Sequence, residues 1–472
     1  MPVFWYLRRP IASILFIISL MLPFQSWALS IGEERLIGQK ILYSMRQELH
    51  ILDDPDISQY INTLGKSVLT VAGPQYFDYH FFVVQSDEFN AFAAPGGMVF
   101  FYSGLIEAMH NENELVSVLA HEIGHITSRH LAQRLDKGTK VSVASILVGL
   151  AGLALGVPGL SMGIFTGSLA AGQAINLQYS REDEEQADRL SFAWMEQMHR
   201  DPLSMHEMLE TMRRISRYRS DALPQYMLTH PNPEMRLSYV ESLLELSKGK
   251  KETPTFQPTD NFAFLRFRYR VLVQTSDQGR LRQYCNITLA SDKNPDARHM
   301  ANYGLALLEA ANHRFDKALE LLTVVQGYYP TKEILKVDQA VVLLLNGRPA
   351  EAKTLLEAAY HRDPTDMYAA FQLGKAEALS GNNTRAQQLF LQVAKAMPDY
   401  SQVYFELGQI AANQRQNGNS TFYLAKFNLY EGKEKQAIQL LRQVKKDPSV
   451  SQKLKDEAIL ILKELEQIKK DL

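Results

Sequence analysis

At 472 residues the chain is too long for one hydrophobic core, so two or three domains are expected. Its 46% hydrophobic and 22% charged residues suit a folded globular protein, and a net charge of -2 gives no electrostatic basis for binding nucleic acid or an acidic lipid surface. The single cysteine, Cys285, excludes an intrachain disulfide and leaves the redox compartment open.

Residues 1–28 have the layout of a secretory signal peptide. Arg8 and Arg9 close a basic start, Ile11 to Leu22 is an apolar run too short for an ordinary spanning helix, and Ser26-Trp27-Ala28 is a small-x-small cleavage site. Cleavage there starts the mature chain near Leu29; an uncleaved anchor is the other reading. Ser30 with Glu33, and Asp54 before Pro55, are N-terminal signals for helices to about Leu49 and Val71. Tyr79 to Val84 is aromatic and β-branched, which predicts a strand. Asn90 to Ala94 reads as a connection, and Pro95-Gly96-Gly97 as a turn delivering a second strand, Met98 to Tyr102. The fold class expected is mainly α with a small β-sheet. A strand beside a metal-binding helix can pair with an extended substrate, which nominates Gly97, Met98, Val99 and Phe100; an ordinary hairpin is the alternative.

The densest chemistry lies in the next helix, predicted from Asn111 to about Leu135. Asn111 is an N-cap, with Glu114 completing a capping-box pattern. Within it stands His121-Glu122-Ile123-Gly124-His125. Residues four apart share a helix face, so the two imidazoles can hold one zinc ion with Glu122 beside it as a base. A zinc site of this kind needs a third protein ligand. A histidine six residues past His125 would fall at Leu131; His130 is one residue short and about 140° round a continuous helix. A downstream carboxylate is therefore required. Val141 to Gln173 carries no charge and is broken at Val157-Pro158-Gly159. It reads as two short helices, buried or in peripheral contact with a membrane, or as a lid; a spanning helix is the alternative. In Ser180 to Asp188 several acids compete. The stripe through Glu184 continues to Ala187, Ser191 and Trp194, so Glu184 faces inward, and Asp188 lies one turn on, placed to hydrogen-bond a ligating histidine. The competing reading is a solvated acidic helix start.

The blocks Asn90-Ala91-Phe92-Ala93-x-Pro95-Gly96-Gly97, His121-Glu122-x-x-His125 and Ser180-Arg181-x-x-Glu184-x-x-Ala187-Asp188 together resemble the zinc peptidases typified by the CAAX prenyl endopeptidase and the heat-shock membrane protease. The resemblance covers about residues 30 to 247. It implies a gluzincin-like metalloprotease domain over 29–247, with His121, His125 and Glu184 as zinc ligands and Glu122 as general base. The chain departs from the membrane members in its leader and in lacking a clear set of spanning helices.

Downstream, His230-Pro231-Asn232-Pro233 is a rigid loop that holds His230 at a fixed point. There it can cap the zinc in a resting state, contact substrate, stabilise the tetrahedral intermediate, or cap a surface turn. Residues 248–261 read as a linker. From 262 the chain repeats. Ala318, Ala352 and Ala386 are spaced by 34, as are Pro330, Pro364 and Pro398, and Ala306, Ala340, Gly374 and Gly408. This is the tetratricopeptide period, and it predicts an α-solenoid over 262–472 with a degenerate opening repeat and a concave surface for protein partners. After Gly408 the register is expected to break, with polar Asn413 to Thr421 replacing the second helix.

With the leader and the repeats, the chain resembles the periplasmic members of this peptidase family that act on outer-membrane β-barrel proteins. That resemblance implies periplasmic localisation. It also implies degradation of misfolded or stalled outer-membrane proteins, promotion of their assembly, and docking on the barrel-assembly machinery or on clients. A second class of function is a chaperone or adaptor whose peptidase is latent.

Overall fold

The computed structural model describes residues 30–137, 178–218, 225–249, 256 and 259–470. The signal segment, its cleavage site and the whole of 141–173 lie outside the described residues. Among the described residues no helix is long and apolar enough to cross a membrane.

Ser30 caps α1 (Ile31–Glu48): its hydroxyl accepts from the Glu33 N–H, and the Glu33 carboxylate accepts from the Ser30 N–H at 2.8 Å. Asp54 caps α2 (Pro55–Leu69), which has proline in its first turn. The strands β1 (His80–Val84), β2 (Ala91–Ala94) and β3 (Met98–Tyr102) form a sheet in the order β1-β3-β2, with β1 parallel and β2 antiparallel to β3. The period of two sorts their side chains. Phe82, Phe92, Phe100 and Tyr102 pack with Ile37, Ile41 and Met45 of α1. Phe81, Val83, Ala91, Ala93 and Phe101 join the opposite helical layer. Both faces are covered, so the strands read as continuous apolar runs. The strand β2 falls where a connection was expected. Its alanines carry little strand preference, and pairing across the Pro95-Gly96-Gly97 turn overrides that. Gly96 and Gly97 sit at φ 80° and 90°, the left-handed region that glycine enters without strain.

After α3 (Ser103–Ala108) comes α4 (Glu112–Thr127), which carries both histidines of the motif and is buried along nearly its whole length. Asn111 caps it through the Glu114 N–H at 3.0 Å, but the Glu114 carboxylate reaches back to the His110 N–H at 2.8 Å, so the capping box is displaced by one residue. The helix does not run on to Leu135. It stops at Ser128, Arg129 turns left-handed at φ 53°, and α5 (His130–Lys137) begins. Neither proline nor glycine causes the break. The Arg129 guanidinium is held instead by buried Glu34 of α1, Nε donating to Oε1 at 2.8 Å. The layer is completed by α6 (Arg181–Gln197), α7 (Leu203–Tyr218), α8 (Gln225–Thr229) and α9 (Pro233–Lys248). Gly124 lets α6 come close, since a Cβ there would meet the Ala187 Cα at 3.3 Å.

The rest is a stack of helix pairs: α10 (Phe262–Thr275) with α11 (Gln278–Ser291), α12 (Pro295–Ala311) with α13 (Phe315–Tyr328), α14 (Ile334–Leu345) with α15 (Pro349–Arg362), α16 (Met367–Leu379) with α17 (Asn383–Ala396), α18 (Ser401–Asn413) with α19 (Asn417–Tyr430), and α20 (Glu434–Lys446) with α21 (Gln452–Lys470). The small-residue positions are the helix contacts: Gly374 lies against the Phe390 ring, where any Cβ would collide. The register does not break after Gly408. The polar stretch starts a helix, α19, and buried Ser420 takes the next place in the 34-residue series, its hydroxyl donating to the Gly408 carbonyl at 2.9 Å. Serine fills an alanine-sized slot and satisfies its own hydroxyl, which hid the repeat.

The stack curls back onto the N-terminal domain. Phe264, Phe267 and Val271 of α10 belong to the core of that domain, with the Phe267 and Tyr60 rings 4.6 Å apart. Arg266 chelates Asp56 of α2 at 2.7 and 2.8 Å and Asp338 of α14 at 2.7 and 2.8 Å. Arg270 adds Asp54 at 2.8 Å. Further along, Gln59 accepts from the Met367 N–H at 2.6 Å, and Asp53 from the Ser401 N–H at 3.1 Å. The N-terminal ends of α16 and α18 thus rest on the first domain.

This contact is pH-sensitive. Burial pushes the Asp53 carboxyl up to about 6, against the pull of Arg46 and of the Ser401 hydroxyl, with nearby Glu431 adding repulsion. Folded Asp53 therefore holds its proton more tightly than the unfolded chain, whose aspartates titrate near about 4. Its contribution is fully present below that value and is lost as pH rises through about 6. His80 runs the same way: burial lowers it, but Asp399 at 2.5 Å outweighs burial and raises it. Asp399, lowered by His80 against burial, loses its contribution only at acid pH. Asp53→Asn, which mimics the protonated acid, is expected to raise the thermal midpoint at about pH 7.5 and to raise it by about half as much at about pH 5. A substitution that lowers the midpoint at the higher pH would contradict the assignment.

Candidate active site and metal centre

Four side chains from two helices and one loop converge inside the N-terminal domain. His121 and His125 come from one face of α4, Glu184 from the first turn of α6, and His230 follows α8. One ligand atom from each lies within 4.8 Å of every other, and all four residues are buried. The His121 and His125 Nε2 atoms are 3.0 Å apart, and His121 Nε2 is 3.3 Å from His230 Nδ1. Glu184 Oε1 lies 2.9 Å from His230 Nδ1 and 3.5 Å from His125 Nε2.

These residues fit a zinc ion. Donors about 2.0–2.1 Å from a tetrahedral centre are about 3.3 Å from one another, close to the 2.9–3.5 Å separations given above. The charges fit as well. Glu122, Glu184 and Asp188 are buried carboxylates, and Arg236 is the buried guanidinium facing them. Glu184 and Asp188 are both held below their ordinary values, and a divalent cation would add to the counter-charge that Arg236 supplies. Burial pushes Glu184 up, yet His230 and Arg236 outweigh it and hold the carboxyl well below its ordinary value. Burial and His121 together press His125 well below the usual imidazole value, keeping it neutral as a ligand must be.

Asp188 lies where the stripe put it: its Oδ1 accepts from His121 Nδ1 at 2.9 Å. A proton at Nδ1 leaves Nε2 free toward the cluster. Glu122 is fully buried, its Oε1 3.4 Å from the Tyr226 hydroxyl and 3.5 Å from His230 Nε2. Among the described residues Glu122 Oε2 and His230 Nε2 have no hydrogen-bond partner, an expensive state for buried polar atoms outside a reaction centre.

Gly97, Met98, Val99 and Phe100 are not available to a substrate. The strand β3 is central, its main chain used by β1 on one side and β2 on the other, and the Gly97 carbonyl accepts from the His80 N–H at 3.0 Å. The strand beside α4 at the sheet's edge is β2. Tyr102 N–H bonds the Asn90 carbonyl at 3.0 Å, so by alternation Ala91 and Ala93 turn their main-chain groups to the outer edge. A small cleft lined by Ala93, Gly96, His125, Arg129 and Tyr179 runs from that strand to His125.

Other residues of the site escaped the sequence reading. Arg236 grips Asp188 with Nε at 2.9 Å and Nη2 at 2.7 Å and reaches Glu184 Oε2 at 3.1 Å. The Tyr226 ring stacks on His230 with centroids 4.2 Å apart, and Tyr179 on His125 at 3.8 Å. Tyr226 precedes His230 by one helical turn, a signal the chain did contain. Nothing local marked Arg236. His130 was placed away from His125 on an unbroken helix, but the left-handed Arg129 swings it back, and the two Nδ1 atoms lie 2.9 Å apart.

Residues 55–244 match the model of peptidase family M48, and residues 343–404 match that of a tetratricopeptide repeat. The chain is 28% identical over 402 residues to the β-barrel assembly-enhancing protease of Escherichia coli K12, covering 76% of this chain and 80% of that protein. It is 29% identical over 421 residues to the protein of the same name from Yersinia pestis, covering 88% and 84%. The mitochondrial metalloendopeptidase OMA1 of Schizosaccharomyces pombe is 29% identical over 194 residues, 41% of this chain and 55% of that protein. The cofactor of this peptidase family is zinc. Fold, buried cluster and relatives agree: the chain is a metalloprotease, with an M48 peptidase domain followed by tetratricopeptide repeats.

Proposed function

We propose that this chain is a periplasmic zinc endopeptidase that degrades misfolded or stalled outer-membrane β-barrel proteins and promotes their assembly, its repeats docking on the barrel-assembly machinery or on clients. The four-residue cluster carries the chemical part of this reading. The similarity to proteins named for enhancing β-barrel assembly supports the biological part.

His121, His125 and Glu184 would hold the metal. Zinc so held acidifies water and polarises a peptide carbonyl. Glu122 accepts the proton of the attacking water and returns it to the leaving amine, and its burial between His230 and Tyr226 keeps bulk water from competing for that proton. Asp188 and Arg236 hold the His121 ring and Glu184 in place. The outer edge of β2 would receive an extended substrate by main-chain hydrogen bonds, replacing the central strand in that role.

His230 completes the cluster where a catalytic site would keep an open corner. This favours a resting, latent state, and with it the chaperone or adaptor role for much of the protein's time. The test is cleavage of an unfolded outer-membrane β-barrel protein by wild type and His230→Ala, with zinc content measured in both. If the latch is closed in about nine molecules of ten, removing it raises the rate about tenfold. A large loss of activity at unchanged zinc content would instead assign His230 to the transition state.

A further inference from the structure

We propose that His130, backed by Gln186, is the positioning residue for the ligand His125. The inference rests on the zinc-site reading above.

The tautomers follow from the contacts. His125 turns Nε2 into the cluster, 3.0 Å from His121 Nε2, so its ring proton sits on Nδ1. That proton points at His130 Nδ1, 2.9 Å away, which must then act as an acceptor. The His130 proton is thereby placed on Nε2, where it donates to Gln186 Oε1 at 3.2 Å. Gln186 is the residue for this end, since its amide oxygen can only accept. Every donor meets an acceptor, and the chain runs from His125 through His130 to α6, the helix that also supplies Glu184. His121 is held differently, by the carboxylate of Asp188 at 2.9 Å. A carboxylate raises the electron density of its histidine, whereas a neutral imidazole mainly fixes ring orientation. The two histidine ligands are thus set by different partners.

The placement is built, not incidental. On a continuous helix His130 would lie about 140° from His125. Arg129 at φ 53° redirects it, and Glu34 of α1 holds Arg129 there. On its other side the His125 ring is stacked on Tyr179 at 3.8 Å. His130 itself is 2% exposed, so no water replaces it without rearrangement.

The experiment measures zinc affinity by competition with a chromophoric chelator, together with the thermal midpoint of the zinc-free protein. Wild type, His125→Ala, His130→Phe, His130→Asn and Gln186→Leu are compared. Loss of an outer partner of a metal-binding histidine costs about 10–100-fold in affinity, the effect expected for His130→Phe. His130→Asn, whose side-chain oxygen can accept from His125 Nδ1, should recover part of it. Gln186→Leu should weaken zinc several-fold through the freed His130 ring, with the zinc-free midpoint lowered only by the loss of one hydrogen bond. If His125→Ala binds zinc like wild type, the metal-site reading fails. If His125→Ala loses zinc while His130→Phe and Gln186→Leu both stay within about twofold of wild type, the positioning role fails and the site stands. Should His130→Phe not fold, Gln186→Leu and His130→Asn decide.

Discussion

Glu122→Gln is expected to retain zinc and to lose peptide cleavage by about 10²–10⁴-fold, the range a positioned general base contributes. Glutamine keeps the shape of the side chain but cannot take a proton. Its amide can still meet the Tyr226 hydroxyl that Glu122 faces at 3.4 Å, so the fold should hold. The measurement is turnover of an unfolded protein substrate at matched zinc content. The same variant separates the two roles proposed for the molecule, because an assembly-promoting function resident in the repeats would survive it. Cleavage within a few-fold of wild type would remove Glu122 from the mechanism.

Arg266→Met is expected to cost about 3–5 kcal/mol, because it breaks the bidentate pairs to two buried carboxylates and leaves Arg270 as their shared counter-charge. Asp56 and Asp338, 6% and 2% exposed, both depend on that guanidinium. Burial raises the Asp56 carboxyl, but Arg266 and Arg270 outweigh it and hold it below its ordinary value. The loss should appear in denaturant unfolding and as faster hydrogen exchange in both α2 and α14, since the arginine ties them together. Restoring neutrality with Asp56→Asn and Asp338→Asn in the same chain should recover much of the stability. A variant as stable as wild type would show that the cluster contributes nothing to docking.

Much of the metal site was legible because its parts are local. His121 and His125 are set by helical spacing, and Glu184 and Asp188 by which stripe of an amphipathic helix is small and apolar. What failed was whatever depends on tertiary contact. The break at Arg129 has no proline or glycine to announce it; it exists because Glu34 arrives from a distant helix. The strand at Ala91–Ala94 has the composition of a connection and is made by its partner. Which strand is central cannot be read from two similar apolar runs; the sheet puts β3 in the middle and leaves β2 at the edge beside α4. In the repeats the 34-residue period exposed the architecture, and Ser420 concealed its continuation until its hydrogen bond was seen.

The sharing of α10 between the two modules bears on how the chain is made. Phe264, Phe267 and Val271 fill the core that also holds α2 and α4, so that core stays open until those residues have been synthesised. Domains generally fold as units as they emerge, N-terminal part first. Here the first unit lacks part of its core without α10, and its partners Asp338, Met367 and Ser401 are made later still. A prematurely terminated product would carry the motif His121-Glu122-x-x-His125 on an unfinished scaffold.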